Sequence, residues 1–258
     1  MKTAKIQEAI EAQHWDYPPS LIPKDVAFIH TSDVIMIKNK AVANIQANKV
    51  IHFTNFQKLN TVFDFFGDLP FSWWVPSNQQ QLIDTLNSHH FSPLEKYVGF
   101  ALHINDFQIP YTKQSFSIVD VKDDDHVRKL VDVSAAIWGY AESQKENLFQ
   151  QRKDYINACG EQGGYTICID GEKAVAYSNY RYSQDGKTMY LNGAGVLPSY
   201  RKRGIYKELV YKRLQAAKEK GILFATALAR TGHSAPVLAR LGFQEHTTYL
   251  QFTRNEKE

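Results

Sequence analysis

The stretch GAGVLPSYRKRGIYKELVYKRL, residues 193–214, joins a strand-like segment to a helix-like segment and places three cations where the helix is about to begin. The cations are Arg201, Lys202 and Arg203, and Gly204 follows them directly. A helix N-terminus already carries partial positive charge and N–H groups without acceptors. Further cations are therefore unfavourable at this point unless an anion binds there.

Two interpretations of these cations compete. A charge run at a helix end is often only a solvated surface. However, Gly204 removes side-chain bulk where the chain turns into the helix, so a ligand can approach the backbone. The N–H groups of residues 202–206 would then converge between the side chains of Arg201 and Arg203. This combination favours a site for a phosphate or pyrophosphate.

The known nucleotide-binding motifs do not describe this loop. A P-loop requires GxxxxGK[ST], which the sequence lacks. A dinucleotide fingerprint requires GxGxxG, but Gly193-Ala194-Gly195 is followed by Val196, Leu197 and Pro198, so the third glycine is missing. The preceding strand also follows two hairpins, which indicates a mainly antiparallel sheet.

The composition is that of an ordinary soluble globular protein. The chain has 258 residues, 43% of them hydrophobic, and a net charge of +3. This near-balance of charge excludes a disordered chain and gives little support to a nucleic-acid partner. There is no apolar run of membrane-spanning length and no signal peptide, so we expect no membrane association.

The cysteines and histidines predict neither disulfides nor a metal. Cys159 and Cys168 cannot form a disulfide framework and lack metal-ligand spacing, which favours a reducing, cytoplasmic location. His89 and His90 are adjacent but have no partner at zinc-binding spacing. We therefore expect no metal cofactor.

The pattern of elements predicts two α+β (α/β) domains, 1–112 and 113–258, each with a mixed, mostly antiparallel sheet flanked by helices. The polar stretch NDFQIPYTKQS supplies the boundary. After it come a strand, one or two helices, and a three-strand meander whose turns are Asp170-Gly171 and Asp185-Gly186. The loop of residues 196–204, a helix, a strand, a short helix and a last strand follow.

The segment VLPSYRKRGIYKELV resembles the acyl-CoA pyrophosphate loop of the GNAT acetyltransferase superfamily, which reads Val, a spacer, then [Q/R]-x-x-G-x-[G/A]. Arg201, Gly204 and Tyr206 fall on the three defined positions. Tyr206 departs from the pattern, because a small residue is usual there, and it should crowd the loop. The order of elements after residue 115 is also that of the superfamily.

The resemblance implies acetyl-CoA as co-substrate. The residues expected to bind it are Val196, Leu197, Arg201, Lys202, Arg203, Gly204, Ile205 and Tyr206. Gly193 and Gly195 suit a bulge that would separate two strands and open a slot for the thioester. The first half has no glycine or arginine at its equivalent turn, in IHFTNFQKLNTVFDFF. The chain thus resembles tandem-GNAT proteins with a degenerate N-terminal copy.

The catalytic residues usual in the superfamily are missing. The fourth strand of the second half carries Asn192 where a carboxylate base is frequent, and Leu238 occupies the position of the frequent tyrosine acid. An amide can position a water or an ammonium group but cannot act as a base. His233 and Tyr190 are candidate substitutes, although a structural role is the favoured interpretation of both.

Trp138 and Tyr140 flank Gly139 at a helix-to-loop joint and are candidates to line an acceptor pocket, with the first half as its cap. Both aromatics could instead be packing residues. The predicted function is an acetyl-CoA-dependent N-acetyltransferase in which the amine of a small molecule or peptide attacks directly in a ternary complex. An acyl-CoA sensor or scaffold and an aminoacyl-tRNA-dependent transferase remain alternatives. We expect a monomer or homodimer.

Overall fold

A computed structural model describes residues 3–108 and 116–254, and the predicted boundary at 112/113 lies outside these ranges. The first half is built from short strands and three helices. Its elements are α1 Thr3–Ala12, β1 Val26–His30, β2 Val34–Asn39, β3 Lys49–Phe53, α2 Leu59–Phe66, β4 Ser72–Pro76, α3 Gln80–Ser88 and β5 Phe91–His103.

The second half follows the predicted order of elements. Its elements are β6 Ser117–Asp120, α4 Asp124–Trp138, α5 Lys145–Cys159, β7 Gly163–Asp170, β8 Lys173–Tyr182, β9 Thr188–Val196, α6 Ile205–Glu219, β10 Phe224–Arg230, α7 Ala235–Arg240 and β11 Gln244–Arg254. The long helical segment after β6 is two helices. Gly139, in the left-handed conformation at φ 74°, ends the first of them.

All the strands of the described residues join one sheet, in the order β1-β2-β3-β4-β11-β5-β10-β9-β8-β7-β6. The pairs β3/β4 and β9/β10 are parallel and the others are antiparallel. The predicted fold class, a mixed and mostly antiparallel sheet with helices, is confirmed. The two expected sheets are continuous with each other.

The last strand of each half is exchanged between the halves. β5, from the first half, pairs with β10 through Ala101 and Thr226. β11, from the second half, pairs with β4 through Leu250 and Val75, and the two exchanged strands pair with each other along their length. Phe100 and Phe252 are fully or almost fully buried in this junction. Because each half's sheet is completed by the other, the halves are held together by backbone hydrogen bonds as well as by side chains.

The position of α6 is fixed by two hydrophobic clusters. Leu209 packs with residues of α4 and β8, including Leu130 and Val175. Val210 and Leu214 pack in a second cluster with residues of β5, β9 and β10. Apolar residues on two neighbouring faces hold the helix rigidly, since each buried Leu or Val contributes roughly 1.5–3 kcal/mol. The loop before α6 is therefore presented at a fixed place on the sheet.

No helix among residues 3–108 and 116–254 combines the length and apolarity that crossing a bilayer requires.

Candidate active site

The central feature of the site is a gap between two parallel strands. β9 and β10 pair only from Thr188/Phe224 to Tyr190/Thr226, and beyond this point no ladder joins them in the described chain. At the same level β9 carries an extra residue, since Asn192 and Gly193 together face the single residue Asn179 of β8. The bulge predicted for this strand is therefore present. Bulges bend a strand and redirect its side chains, so this one opens the sheet.

Gly195, the other glycine of this strand, has a packing role. A Cβ at this position would lie 3.0 Å from Ile137 Cδ1 and 3.2 Å from Tyr177 Cε1. The missing side chain therefore lets α4 pack closely on β9. This close approach keeps the C-terminal end of α4, with Trp138, beside the gap.

The loop between β9 and α6 is ordered by its own contacts and leaves its cations exposed. Arg201 donates a hydrogen bond from Nε to the carbonyl of Val196 at 3.2 Å. The Arg203 guanidinium lies 4.8 Å from the ring centroid of Tyr200, whose hydroxyl donates to Asp170 at 2.8 Å. Arg201, Lys202 and Arg203 are all exposed. The cations thus remain accessible to a ligand.

The backbone of this loop turns through the left-handed region twice. Lys202 has φ 63° and Gly204 has φ 83°. Gly204 is the N-cap of α6 and offers no side chain to the first turn. The first-turn N–H groups of a helix have no intrahelical acceptors, so those of Ile205, Tyr206 and Lys207 are free to receive an anion. The expected combination of open N–H groups and cations is present.

The other predicted cofactor residues are engaged in the fold. Leu197 is buried and donates its N–H to the carbonyl of Val175 at 3.0 Å. The carbonyl of Val196 accepts the Arg201 hydrogen bond described above. Ile205 is buried in the cluster that holds α6. These residues fix the loop and its helix in place.

A cavity of about 760 Å³ opens at the gap between β9 and β10. Residues 191–194 and 227–230 form its walls in the second half. The first half closes it with residues of β3, β4 and β5, of the segment after α1 and of the loop before β3, among them His14, Tyr17, Lys49, Trp74 and Tyr97. The cavity is therefore a cleft between the two halves, as the sequence suggested for the acceptor pocket.

Tyr206 does not crowd the loop, contrary to our expectation. Its half-buried side chain lines the cavity together with Ser234 and Leu238. Burial raises the pKa of its hydroxyl, although a hydrogen bond with Ser234 acts in the opposite direction. The hydroxyl is therefore protonated at neutral pH and can donate a proton inside the cavity. It stands beside Leu238, at the position where the sequence lacks the usual acid.

The three candidate catalytic residues differ in their burial and in their position relative to the cavity. Asn192, half-buried in the bulge, lines the cavity. Tyr190 is buried and donates its hydroxyl to Asp16 Oδ2 at 2.6 Å, so burial and this carboxylate raise its pKa. His233 is exposed in the turn before α7. Neither Tyr190 nor His233 is among the described residues that line the cavity.

The two candidate acceptor residues also differ in their position relative to the cavity. Trp138 lines the cavity, is 51% exposed, and donates from Nε1 to the hydroxyl of Tyr177 at 2.5 Å. Tyr140 is 40% exposed and lies past the left-handed Gly139, and it is not among the described lining residues. The glycine turns the chain away from the cavity immediately after Trp138.

Sequence reasoning missed several charged or titratable residues of the cavity wall, including one from each of three distant segments. His14, Lys49 and Arg152 come from α1's C-terminal extension, β3 and α5. Lys49 Nζ lies 3.4 Å from His14 Nδ1. Burial lowers the pKa of Lys49 to about 8, and burial together with Lys49 holds the pKa of His14 well below its usual value. Isolated charged residues in three distant segments give no sequence signal.

One group of potential metal ligands lies elsewhere, at the start of α4. Asp123, Asp125 and His126 are close enough together to share an ion. Helix capping explains this group, because the side chain of Asp123 accepts a hydrogen bond from the N–H of His126 at 2.9 Å. The acidic first turn also complements the helix dipole.

Comparison with protein-family models finds a match within the second half. Residues 129–243 match the model of the Acetyltransferase (GNAT) family. No curated protein matches the chain in sequence.

Solved structures share the fold of nearly the whole chain. A GCN5-related N-acetyltransferase from Kribbella flavida is 15% identical with a TM-score of 0.71, and the match covers 98% of this chain and 96% of that one. A functionally unknown conserved protein from Staphylococcus epidermidis is 13% identical, with a TM-score of 0.69 and coverage of 92% and 96%. A tandem GNAT protein from the clavulanic acid biosynthesis pathway is 9% identical, with a TM-score of 0.65 and coverage of 99% and 96%.

Proposed function

We propose, from the match of residues 129–243 to the GNAT acetyltransferase family model, that the protein transfers an acetyl group from acetyl-CoA to an amine. The observation that carries the proposal is the cavity between the separated strands β9 and β10, with Tyr206 of the open α6 N-terminus in its wall. One ligand can therefore have its anionic part at the loop and its reactive end among the cavity residues.

The pyrophosphate of acetyl-CoA is assigned to the loop of residues 201–206. Arg201 and Arg203 supply charge, and the first-turn N–H groups of α6 supply directed hydrogen bonds. The residues present fit this group, because Gly204 leaves open space where a Cβ would stand. The first half contributes no second cofactor loop, so we propose that residues 1–112 are a degenerate GNAT-like domain and residues 113–258 the cofactor-binding one.

The transfer needs two proton movements around the reacting carbonyl. The amine forms a C–N bond and loses a proton, while the C–S bond breaks and the CoA sulfur gains a proton. Tyr206, protonated and in the cavity wall, is our candidate to protonate the sulfur. Asn192 is our candidate to position the amine or a water, because its amide lines the same wall and can both donate and accept hydrogen bonds.

The proposal is tested by measuring binding and turnover separately. Isothermal titration calorimetry should detect acetyl-CoA binding, and a thiol reagent should detect free CoA when amines are added. If acetyl-CoA does not bind at millimolar concentration, the proposal is wrong. If it binds but a broad amine panel releases no thiol, the protein is an acyl-CoA sensor and not an enzyme.

The role of Tyr206 is tested by Tyr206→Phe. We expect kcat to fall roughly 10²-fold, the usual range for loss of a general acid, with acetyl-CoA affinity nearly unchanged. The alkaline limb of the pH–rate profile should also change, which a purely structural tyrosine would not cause. Tyr211→Phe is a matched control, because Tyr211 lies further along α6 and packs near Phe107, 5.8 Å between ring centroids.

A further inference from the structure

The cationic side chains of the cavity wall outnumber the anionic ones. Of the described residues, Lys49, Arg152 and Arg230 are the cations that line it, and no aspartate or glutamate does. Sites for polyamines, aminoglycosides or basic peptides need carboxylates to bind the ammonium groups. A wall of this composition repels such ligands.

The three cations differ in whether a neighbouring side chain already neutralises their charge. Arg230 donates from Nε to Glu95 Oε2 at 2.7 Å, so its charge is compensated. Arg152 donates to the hydroxyl of Tyr165 at 2.7 Å and lies 5.3 Å from the centroid of that ring. These contacts orient the Arg152 guanidinium without neutralising it.

Lys49, like Arg152, has no carboxylate partner among the described residues. Its polar neighbour among the described residues is His14, whose Nδ1 lies 3.4 Å from Nζ. Burial and the nearby Lys49 hold the pKa of this imidazole well below its usual value, so it supplies no counter-charge. His14 Nε2 is itself buried without a hydrogen-bond partner among the described residues. A half-buried ammonium group held this way costs stability, and a bound anion would compensate it.

The walls around these cations are aromatic. His14 packs on Trp74 at 4.8 Å between ring centroids, and Trp74 packs on Tyr97 at 4.6 Å. Leu228 of β10, beside the gap, packs in the same cluster as Trp74. Lys49 is therefore linked by contacting side chains to the strand that borders the gap. The apolar or aromatic part of a ligand fits between Lys49 and β10.

We propose that the acceptor is an amine that also carries a carboxylate, an α-amino acid or a compound of that type with an apolar or aromatic body, and that Lys49 binds the carboxylate. This inference rests on the proposed function and specifies its substrate class. Arg152 adds to the positive potential from the opposite, second-half wall, and Lys49 makes the first half part of the acceptor site.

The same charges help to prepare the nucleophile. A positive environment disfavours an ammonium group, so it lowers the pKa of the acceptor's amine and favours the free base that attacks. The wall therefore accounts for the absence of a carboxylate base at Asn192. The ammonium proton leaves to water before or during binding. The second proton, released from nitrogen as the C–N bond forms, balances the proton that the CoA sulfur gains, so no side-chain base is required.

The test uses matched acceptors with the wild-type protein and acetyl-CoA. A panel of the twenty α-amino acids is compared with their carboxamides, which keep the amine and side chain but remove the negative charge. We expect the preferred amino acid to exceed its amide by about 30-fold in kcat/KM, as for loss of one charged hydrogen bond. Spermidine should be a poor acceptor.

Variants then locate the recognition. Lys49→Met should remove the preference by raising KM for the amino acid about 30-fold while KM for the amide changes little, and any loss of kcat should be shared by both acceptors. Lys49→Arg should restore part of it, and Arg152→Gln should have a smaller effect. Lys40→Met, at an exposed first-half lysine, is the control and should behave as wild type.

The outcomes separate the two proposals. If acetyl transfer occurs but amides or polyamines are preferred, the carboxylate inference is wrong and the acetyltransferase function stands. If acetyl-CoA binds without transfer to any acceptor, calorimetric titration of the same amino acids and amides into the acetyl-CoA complex decides. The inference is overturned if no amino acid binds more tightly than its amide. Failure to bind acetyl-CoA rejects the proposed function itself.

Discussion

The turn after β3 and the loop after β9 occupy corresponding places in the two halves. Only the loop after β9 is open to a ligand. In the first half Asn55 accepts a hydrogen bond from the N–H of Gln57 at 3.1 Å and donates to Asp33 Oδ2 at 3.0 Å. Lys58 pairs with the same carboxylate at 2.9 Å. The helix start is thus capped, and its cation neutralised, by groups of its own half.

The loop after β9 has neither a capping side chain nor a carboxylate that pairs with its cations among the described residues. Gly204 provides no cap, and the described ion pairs include none made by Arg201, Lys202 or Arg203. The same topology therefore yields a closed structural turn in one half and, in the other, the open loop that we propose binds an anion. Hydrogen bonds from Thr31, Lys58 and Asn55 hold the pKa of Asp33 well below its usual range, so its carboxylate stays charged and the first-half turn stays closed.

The largest expected effect comes from reversing the charge of the open loop. Arg201→Glu/Arg203→Glu should lower acetyl-CoA affinity by about 10³-fold or more, because two charged hydrogen bonds are replaced by repulsion. Calorimetry measures this directly. Lys58→Gln, at the closed turn, should leave the affinity unchanged. Equal losses in both variants would mean that the two turns do not differ in function.

A second prediction concerns Lys49, through which the first half contributes to the cavity. Its folded pKa, about 8, lies below its usual 10.5, so the unfolded chain binds more protons between these values. Wild-type stability should therefore rise as the pH increases from 8 to 10.5. Lys49→Met should be about 2 kcal/mol more stable than wild type at pH 7, with most of this advantage lost near pH 10.5. Urea unfolding at both pH values tests it; an advantage independent of pH would assign the gain to hydrophobic burial alone.

Gly204→Ala tests the backbone of the open loop. The Cβ would meet no atom within 4 Å, so the cost comes from φ 83° alone. We expect a loss of roughly 1–2 kcal/mol in stability, as for other residues forced into the left-handed region, and weaker acetyl-CoA binding as the loop relaxes. Gly232→Ala also adds a Cβ in open space but without a positive φ. This control should stay within about 0.5 kcal/mol of wild type.

Asn55→Ala removes the cap of the closed turn. The expected cost is about 1 kcal/mol of folding free energy, typical of a lost N-cap. Acetyl-CoA affinity of the folded variant should not change, since this turn holds no ligand. Thermal unfolding and calorimetry together check both parts. A change in affinity here would place the first-half turn in the cofactor site.

Much of the second half follows from local patterns. The turns at Asp170-Gly171 and Asp185-Gly186 place both glycines at positive φ, 60° and 68°, between the predicted strands. The bulge at Asn192 and the loop at Gly204 likewise follow from glycines next to polar or charged residues. Such features depend on a few neighbouring residues and are readable in sequence.

Other features were not predicted. β1, Val26–His30, follows a proline-rich stretch and contains no fully buried residue, so its pattern is weak. The exchange of β5 and β11 was also missed, because strands of either half offer the same alternation of side chains to any partner. Tyr206 was expected in the loop, but the rotation of α6 set by Leu209 and Val210 places its side chain in the cavity.

The sequence by itself determined the class of fold, the order of the second-half elements and the loop that we propose binds an anion, because each depends on residues close together in the chain. Only the tertiary structure decided how the halves share one sheet and what charge the acceptor cavity carries. His14, Lys49 and Arg152 are far apart in sequence, and the exchanged strands and α5 bring them to one cavity. Long-range contacts of single residues leave no periodic pattern, so their meeting is determined by packing.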